Sequence, residues 1–450
     1  MVEIAPQQRD RSPLLPTVFD ELSELDSLPS DCARWPLDQA HSAGGTKTCL
    51  QRLQHSLRNA ATHGPWQWPQ RPVVFVSDPH ADAEGFLRSL VAAGTIVRHG
   101  SGTDAFELTE FGRSAEIIIG GDCLDKGPSN LDLLDAIAAL YDSGADVHLL
   151  AGNHDIRLVV ALAALSNPRS ALTEHLFVRM ARKAIPLFRE VCERYDVFDT
   201  QHPIPSESEC RDRVYPGAQW NERFPGAAAP YLSPEAIASE CWKLTAKIAS
   251  FDAEVAKSGL TLRQVYAAAM LCQTLFFAEN GAYRWFYDRM DVMKRSGSIL
   301  FIHAGLCDSL CEIVSQDGLE TVNSRFIDEA RAEPFAFYFG KVANLVRTKY
   351  RPTDRELTSK GVQSLHRAGL KMVVQGHVNN HAGQRLLVKS GLLHLEGDVT
   401  LDRASRSLEG LPGIGVGATL IYPSGDVVGL STDFPKAKLF QPDSLLWENR

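Results

Sequence analysis

One recurrence constrains this chain more than any other feature. Five times, a short apolar run of the kind that forms a fully buried strand gives way to small residues and potential ligands. Val73-Val74-Phe75-Val76 leads into Ser77-Asp78-Pro79-His80, and Ile117-Ile118-Ile119 into Gly120-Gly121-Asp122-Cys123-Leu124-Asp125-Lys126-Gly127. Val147-His148-Leu149-Leu150 precedes Gly152-Asn153-His154-Asp155. Ile299-Leu300-Phe301-Ile302 precedes His303-Ala304-Gly305, and Met372-Val373-Val374 precedes Gly376-His377. Helical patterns at 83–93 and 130–143 separate the first three runs, which predicts βαβ units and a parallel or mixed sheet. In an open α/β sheet the carboxyl ends of the strands share one edge, so the five loops are expected to converge on one crevice.

The converging set is Asp78, His80, Asp122, Asn153, His154, His303 and His377: two carboxylates, one amide and four imidazoles. Such N and O donors suit Mn, Fe or Zn. They are too many for a single tetrahedral ion, and a pair of ions bridged by one carboxylate accounts for them better. Each motif alone has an ordinary reading, such as an Asx turn capping a helix at Asn153. Their joint occurrence in this order decides for a metal site. Cys123 sits inside the second motif and reads as a small buried thiol.

Composition narrows the partners. A net charge of -9 and a pI near 5.9 argue against general nucleic-acid or anionic-membrane binding, so no stable nucleic-acid partner is expected. Nine cysteines without a C-x-x-C pair read as reduced thiols, and the first residues lack a basic start followed by an apolar run. The longest apolar stretch, Leu158 to Leu165, is too short for a membrane span. The expectation is a cytoplasmic protein.

Five segments follow from the pattern. Residues 1–69 read as a polar, partly disordered extension with one helical stretch near Cys49 to Ala61, and 70–155 as the first half of the core. Residues 156–297 read as a helical insertion, 298–433 as the second half of the core, and 434–450 as an extended tail. Within the insertion, Ser233-Pro234 starts a helix whose apolar stripe is Ile237, Cys241, Leu244, Ile248, Phe251 and Val255. Thr261 and Gln264 form a capping box for the next helix, and 199–232 is Pro-rich and loop-like. Both ends of the insertion adjoin proposed site residues, so it is expected to form a cap over the site.

The motif series resembles the calcineurin-like metallophosphoesterase superfamily, whose successive motifs are Asp-x-His, Gly-Asp-x-x-Asp-Arg-Gly, Gly-Asn-His-Glu/Asp, His-Gly/Ala-Gly and Gly-His. It leans to the phosphoprotein-phosphatase branch, with its Shewanella-like and diadenosine-tetraphosphatase-like members. The resemblance implies an α/β fold, a four-layer sandwich of two mixed β-sheets flanked by helices, here with a large helical insertion. It implies two metal ions (Mn, Fe or Zn), one held by Asp78, His80 and Asp122. The other would be held by Asp122, Asn153, His303 and His377, with a bridging hydroxide attacking phosphorus. His154 would be the general acid and Asp125 its orienting partner. Lys126 and Arg351 would bind phosphate, with Arg355 or Arg347 as substitutes for the latter. Lys126 stands where the family usually has arginine and cannot clamp two oxygens at once. The implied function is a phosphomonoesterase of the serine/threonine phosphoprotein type. The alternatives are a nucleotide phosphodiester or phosphoanhydride hydrolase, and a catalytically inactive binding module.

Overall fold

The structure, a computed structural model, describes residues 28–29, 31–35, 45–198, 203–351 and 353–447. The first strands are β1 (Cys32–Arg34), β2 (Val73–Val76), β3 (Ile96–Arg98), β4 (Phe106–Leu108), β5 (Glu116–Ile119) and β6 (Asp146–Leu150). After the helical insertion come β7 (Met290–Asp291), β8 (Met293–Ser296) and β9 (Ile299–Ile302). The remainder are β10 (Met372–Gln375), β11 (Arg385–Lys389), β12 (Leu392–Glu396), β13 (Gly417–Ile421), β14 (Val427–Ser431) and β15 (Ala437–Phe440).

These strands make two mixed sheets, ordered β1-β15-β14-β13-β2-β5-β6-β7 and β11-β12-β10-β9-β8, with β3 and β4 as a separate ribbon. Strands β2, β5, β6 and β7 run parallel, as do β9, β10 and β12. Because side chains alternate along a strand, β2 is apolar on both faces. Val73 and Phe75 join Ile118, Phe301, Val374, Leu395 and Ile421 in the core between the sheets, whereas Val74 and Val76 pack in the cluster that includes Phe86, Leu90 and Leu134 of the flanking helices. The expected α/β sandwich of two mixed sheets is therefore what the chain forms.

The segment boundaries differ from the sequence reading. The N-terminal stretch contributes β1, parallel to β15, and the helix Gly45–Ala61, whose Leu53 and Leu57 are buried in the inter-sheet core. The C-terminal stretch supplies β15 rather than a tail, because Val427, Val428 and Gly429 hold Phe440, Leu439 and Lys438 in register. The expectation of disorder at 1–27 and 36–44 lies outside the described residues. The core resumes at β7, eight residues before the start at 298 read from the sequence, since Met290 pairs with Leu149.

Within the insertion the long helix Pro234–Ser258 starts at Ser233, whose Oγ accepts from Ala236 N, and ends at Gly259 with φ of 75°. Its stripe is buried at Ile237, Leu244 and Phe251 and half-buried at Cys241, Ile248 and Val255. Thr261 and Gln264 form the reciprocal capping box. The stretch read as loop carries two short helices, Glu207–Val214 and Trp220–Ala228, the second anchored by the fully buried Trp220 and Phe224. No helix among the described residues is long and apolar enough to cross a membrane.

Candidate active site

The carboxyl ends of β2, β5 and β6 in one sheet and of β9 and β10 in the other open on the same place. Their loops are laced together by main-chain bonds: Asp78 N donates to Gly121 O (3.1 Å), His80 N to Asp122 O (2.9 Å) and Ala81 N to Cys123 O (2.7 Å). The turns are strained. Asp78, His80, Ala81, Asp122, Asp125, Lys126 and His377 all have positive φ, seven of the ten such non-glycine residues among those described. Each costs about 1–3 kcal/mol unless its surroundings over-determine it, and such residues gather where function requires them. Gly376 permits the closest approach: a Cβ there would overlap Ser77 Oγ and Asp78 Oδ2.

Two clusters share Asp122. Nitrogen and oxygen atoms of His80, Asp122 and His154 lie within 4.8 Å of one another, as do those of Asp122, His303 and His377. Asp122 divides its carboxylate between them: Oδ2 is 3.7 Å from His80 Nε2, and Oδ1 is 3.5 Å from His303 Nε2. The histidines are oriented from behind, as metal-ligating imidazoles usually are. His303 Nδ1 lies 2.8 Å from Gly120 O, and His80 Nδ1 lies 3.3 Å from Leu124 O, so both Nε2 atoms face inward. Asp78 spends Oδ2 on Ser77 Oγ and His377 N (2.9 Å), leaving Oδ1 toward His80 Nε2 at 3.9 Å.

The donor chemistry fits cations. Asn153 Oδ1 is buried without a hydrogen-bond partner, an expensive arrangement unless something binds it, and His377 turns Nδ1 to within 3.2 Å of His303 Nε2. Burial and the Asp122 charge push Asp78 well above the usual carboxylate range. Burial likewise holds His80 and His377 well below the ordinary imidazole value, keeping them neutral and ligand-competent. Two divalent ions would be held by Asp78, His80 and Asp122, and by Asp122, Asn153, His303 and His377. Lys126 Nζ rests 2.8 Å from His80 Nε2 and 3.1 Å from Ser405 Oγ, so His80 can ligate only when this ammonium moves off it.

Beside the clusters His154 Nδ1 lies 2.7 Å from Asp125 Oδ2, while His154 N donates to Asp122 Oδ1 at 2.8 Å. Although burial opposes it, the His154 contact holds Asp125 below the usual carboxylate range. Asp125 N donates to Asn130 Oδ1 (2.8 Å), and the Asn130 amide donates to Glu190 (2.7 Å) on the insertion helix Ile185–Arg194. The insertion also places Lys183 Nζ 3.3 Å from Asp125 Oδ2. Arg157, one turn along the helix Asn153–Ser166, puts NH1 3.2 Å from His154 Nε2.

Sequence reasoning singled out none of Asp155, Glu190, Lys183 and Arg157. Asp155 is fully buried and accepts from Gly152, Asp122, Cys123 and Leu124 N–H groups at 2.9–3.1 Å, which shapes the metal loop. Its place in Gly-Asn-His-Asp was visible, but not which groups it would meet. Arg351 is exposed, and its main-chain N–H donates to Asp354 Oδ2 at 2.9 Å. Arg347 instead stacks on Tyr338, 4.5 Å from the ring centre.

Against known families, residues 71–220 match the model of the calcineurin-like phosphoesterase family. The chain carries a calcineurin-like phosphoesterase domain. It is a phosphoric ester hydrolase, and this family implies divalent metal ions. The match covers Asp78 through His154 and runs on into the insertion, while His303 and His377 lie beyond it. Among solved structures, a cold-active protein tyrosine phosphatase aligns at 12% identity and TM-score 0.43, over 83% of this chain and 80% of that one. Another structure of a cold-active protein-tyrosine phosphatase, from a psychrophilic Shewanella species, aligns at 12% identity and TM-score 0.41, over 82% and 80%. A protein serine/threonine phosphatase from Saccharomyces cerevisiae aligns at 10% identity and TM-score 0.38, over 87% and 90%. No curated protein matches the chain significantly.

Proposed function

We propose that this chain is a metal-dependent phosphatase that transfers a terminal phosphoryl group to water, with His154 as general acid. The observation that carries it is the pair of donor clusters sharing Asp122, with the His154–Asp125 dyad at their edge. When bound, two divalent ions, manganese, iron or zinc, supply a readily deprotonated water and neutralise phosphate charge. The chain's own groups do the rest. Asp125 fixes the imidazole so that Nε2 faces the departing oxygen, and a proton on Nε2 spares that oxygen from leaving as an alkoxide. Lys126, whose Nζ lies 2.8 Å from His80 Nε2 and 3.1 Å from Ser405 Oγ, offers a point charge to a phosphoryl oxygen. The burial of Asp78, Asp122 and His303 keeps bulk water from competing for these contacts.

Two substrate classes follow from the sequence. The phosphoprotein reading rests on resemblance. The nucleotide-type phosphoanhydride reading has a specific observation in its favour, the guanidinium of Arg157 against the proposed acid. The test of the shared chemistry is chelator-sensitive turnover of p-nitrophenyl phosphate by the manganese-loaded protein. Turnover lost in Asp122→Asn supports it, and turnover absent from the wild type or unaffected by that change refutes it.

A further inference from the structure

Away from the metal clusters, a groove follows the seam between the insertion and the second half of the core. Among the described residues, three cavities of about 690, 390 and 680 Å³ lie side by side along it. Ser170 lines both the first and the second, and Ala332, Glu333 and Ala336 line both the second and the third. The core side of the seam is built by the helices Phe326–Ala332 and Pro334–Phe339. Asn167 Nδ2, donating to Arg331 O at 2.6 Å, ties the insertion to it.

The three parts differ in chemistry. In the first, Arg169, Arg211 and Arg223 stand with Glu174 and Asp212. Glu174 is buried and taken already, by Arg223 NH2 (2.6 Å), Arg169 NH2 (3.3 Å) and Gly217 N (2.9 Å), while Arg211 lies over the Tyr215 ring at 5.2 Å. The second is lined chiefly by Leu172, Pro334, Phe335 and Tyr231. Tyr231 is 47% exposed, although its ring stands edge-on to the buried Phe335 at 5.7 Å. Phe335 in turn packs on Phe224, which stacks on the fully buried Trp220. In the third, Asp328, Glu329 and Glu333 outnumber Arg325 and Lys341, and among the described residues none of the three carboxylates forms an ion pair. An anchored aromatic floor between ends of opposite charge suits a chain rather than a compact ligand. Aromatic anchors carry affinity, and ends of opposite sign fix the direction of whatever lies between them.

The groove is also connected to the active site. The 14-residue helix Asn153–Ser166 begins at the metal and dyad residues, and Asn167, directly after it, lines the middle cavity. Such a helix spans about 20 Å, a distance that about six extended residues cross.

We propose that the groove docks an extended segment of a phosphoprotein substrate. The segment places a carboxylate at the arginine end, a bulky apolar side chain on Tyr231 and Phe335, and a cation at the acidic end. The phosphorylated residue then lies at least about six residues from the docked part. The inference rests on the phosphatase reading and assigns it a substrate class.

The test uses the full, manganese-loaded chain and two substrates. One is a short phosphoseryl peptide. The other is the same peptide joined by about eight Gly and Ser residues to a Glu-Glu-Gly-Leu-Phe-Gly-Lys-Lys segment, made in both chain directions. In one direction the segment should raise kcat/KM about tenfold or more, through KM, as a tethered second contact does. Glu333→Lys should abolish the gain, as should Tyr231→Ala, with turnover of the short peptide and of p-nitrophenyl phosphate unchanged. Replacing the Lys-Lys end of the segment by Glu-Glu should restore the gain on Glu333→Lys and remove it on the wild type, a swap that a purely structural role for Glu333 does not produce. No gain in either direction, or a gain that survives either variant, would overturn the proposal. Turnover of p-nitrophenyl phosphate without turnover of either phosphopeptide would overturn it with the catalytic reading intact. Fluorescence polarisation of the labelled segment alone is measured alongside. Binding that Glu333→Lys abolishes, in a chain that turns over none of these substrates, would refute the catalytic reading and leave the groove as a docking surface.

Discussion

Replacing Glu190 by glutamine tests whether the insertion holds the catalytic dyad or merely packs beside it. Glu190 Oε1 accepts from Asn130 N (3.0 Å) and Nδ2 (2.7 Å), and Oε2 from Leu131 N (2.9 Å) and Ser129 Oγ (3.1 Å). Glutamine keeps one oxygen and turns an amide onto the other donors. The Ser129 hydroxyl can rotate to accept, but Leu131 N cannot. One charge-assisted bond is lost, about 1.5–3 kcal/mol, along with a favourable charge at the start of the helix Asn130–Asp142, about 0.3–1 kcal/mol. The sum is about 2–4 kcal/mol, and the half-buried position favours the lower end. Urea unfolding should show it as a lower midpoint with an unchanged slope. The functional consequence runs through Asn130: its two bonds to the remaining oxygen weaken without the charge, and the unpaired Leu131 N beside it loosens the helix start that holds Asp125 and His154. We expect kcat for an alkyl phosphate to fall roughly tenfold, part of what a general acid contributes, with KM nearly constant. In a His154→Asn background the same change should cost nothing more in kcat. A lower midpoint with kcat untouched would show that Glu190 only packs the insertion in place.

Three further outcomes are expected. Gly376→Ala drives a methyl group into Ser77 Oγ and Asp78 Oδ2, and equilibrium dialysis should find manganese affinity reduced about 10- to 100-fold; wild-type affinity would mean that Asp78 is not a ligand. His154→Asn should slow alkyl phosphate hydrolysis by about 10²–10⁴-fold but p-nitrophenyl phosphate far less, because nitrophenolate leaves without a proton; equal losses would exclude His154 as the acid. Burial alone would raise the Tyr338 phenol, yet Arg179, Arg347 and Arg157 bring it down to about 7. With the folded value below the unfolded one, near 10, Tyr338 should add stability relative to Tyr338→Phe as pH rises from about 7 toward 10, and none below 7. Tyrosinate absorbance in the wild-type minus Tyr338→Phe difference should report the midpoint, and a midpoint near 10 would contradict the cluster.

What could be read from the chain is what its local chemistry fixes. The runs Val73–Val76, Glu116–Ile119 and Ile299–Ile302 announce buried strands, and the polar residues after them can only sit at their carboxyl ends. Likewise Ser233-Pro234 and Thr261 with Gln264 announce helix starts without tertiary help. β1 (Cys-Ala-Arg), at the edge of its sheet, and β15 (Ala-Lys-Leu-Phe), next to it, are short, partly polar strands, recruited by the neighbours they pair with rather than by their own pattern. Glu190, Lys183 and Arg157 look like any charged helix residue until the insertion docks, and their partners are distant loops. The choice among Arg347, Arg351 and Arg355 has the same character. Proximity in sequence placed all three before His377, and in the fold Arg347 is half-buried over Tyr338 whereas Arg351 and Arg355 are exposed.

The central claim is that one carboxylate joins two ions in a single site. A crystal of the full chain grown with manganese, with diffraction collected at the manganese edge, tests it directly. Two anomalous peaks on either side of Asp122, one reached by Asp78 and His80 and the other by Asn153, His303 and His377, are the expected result. A single peak away from Asp122, or none in a crystal whose protein turns over substrate, would contradict it.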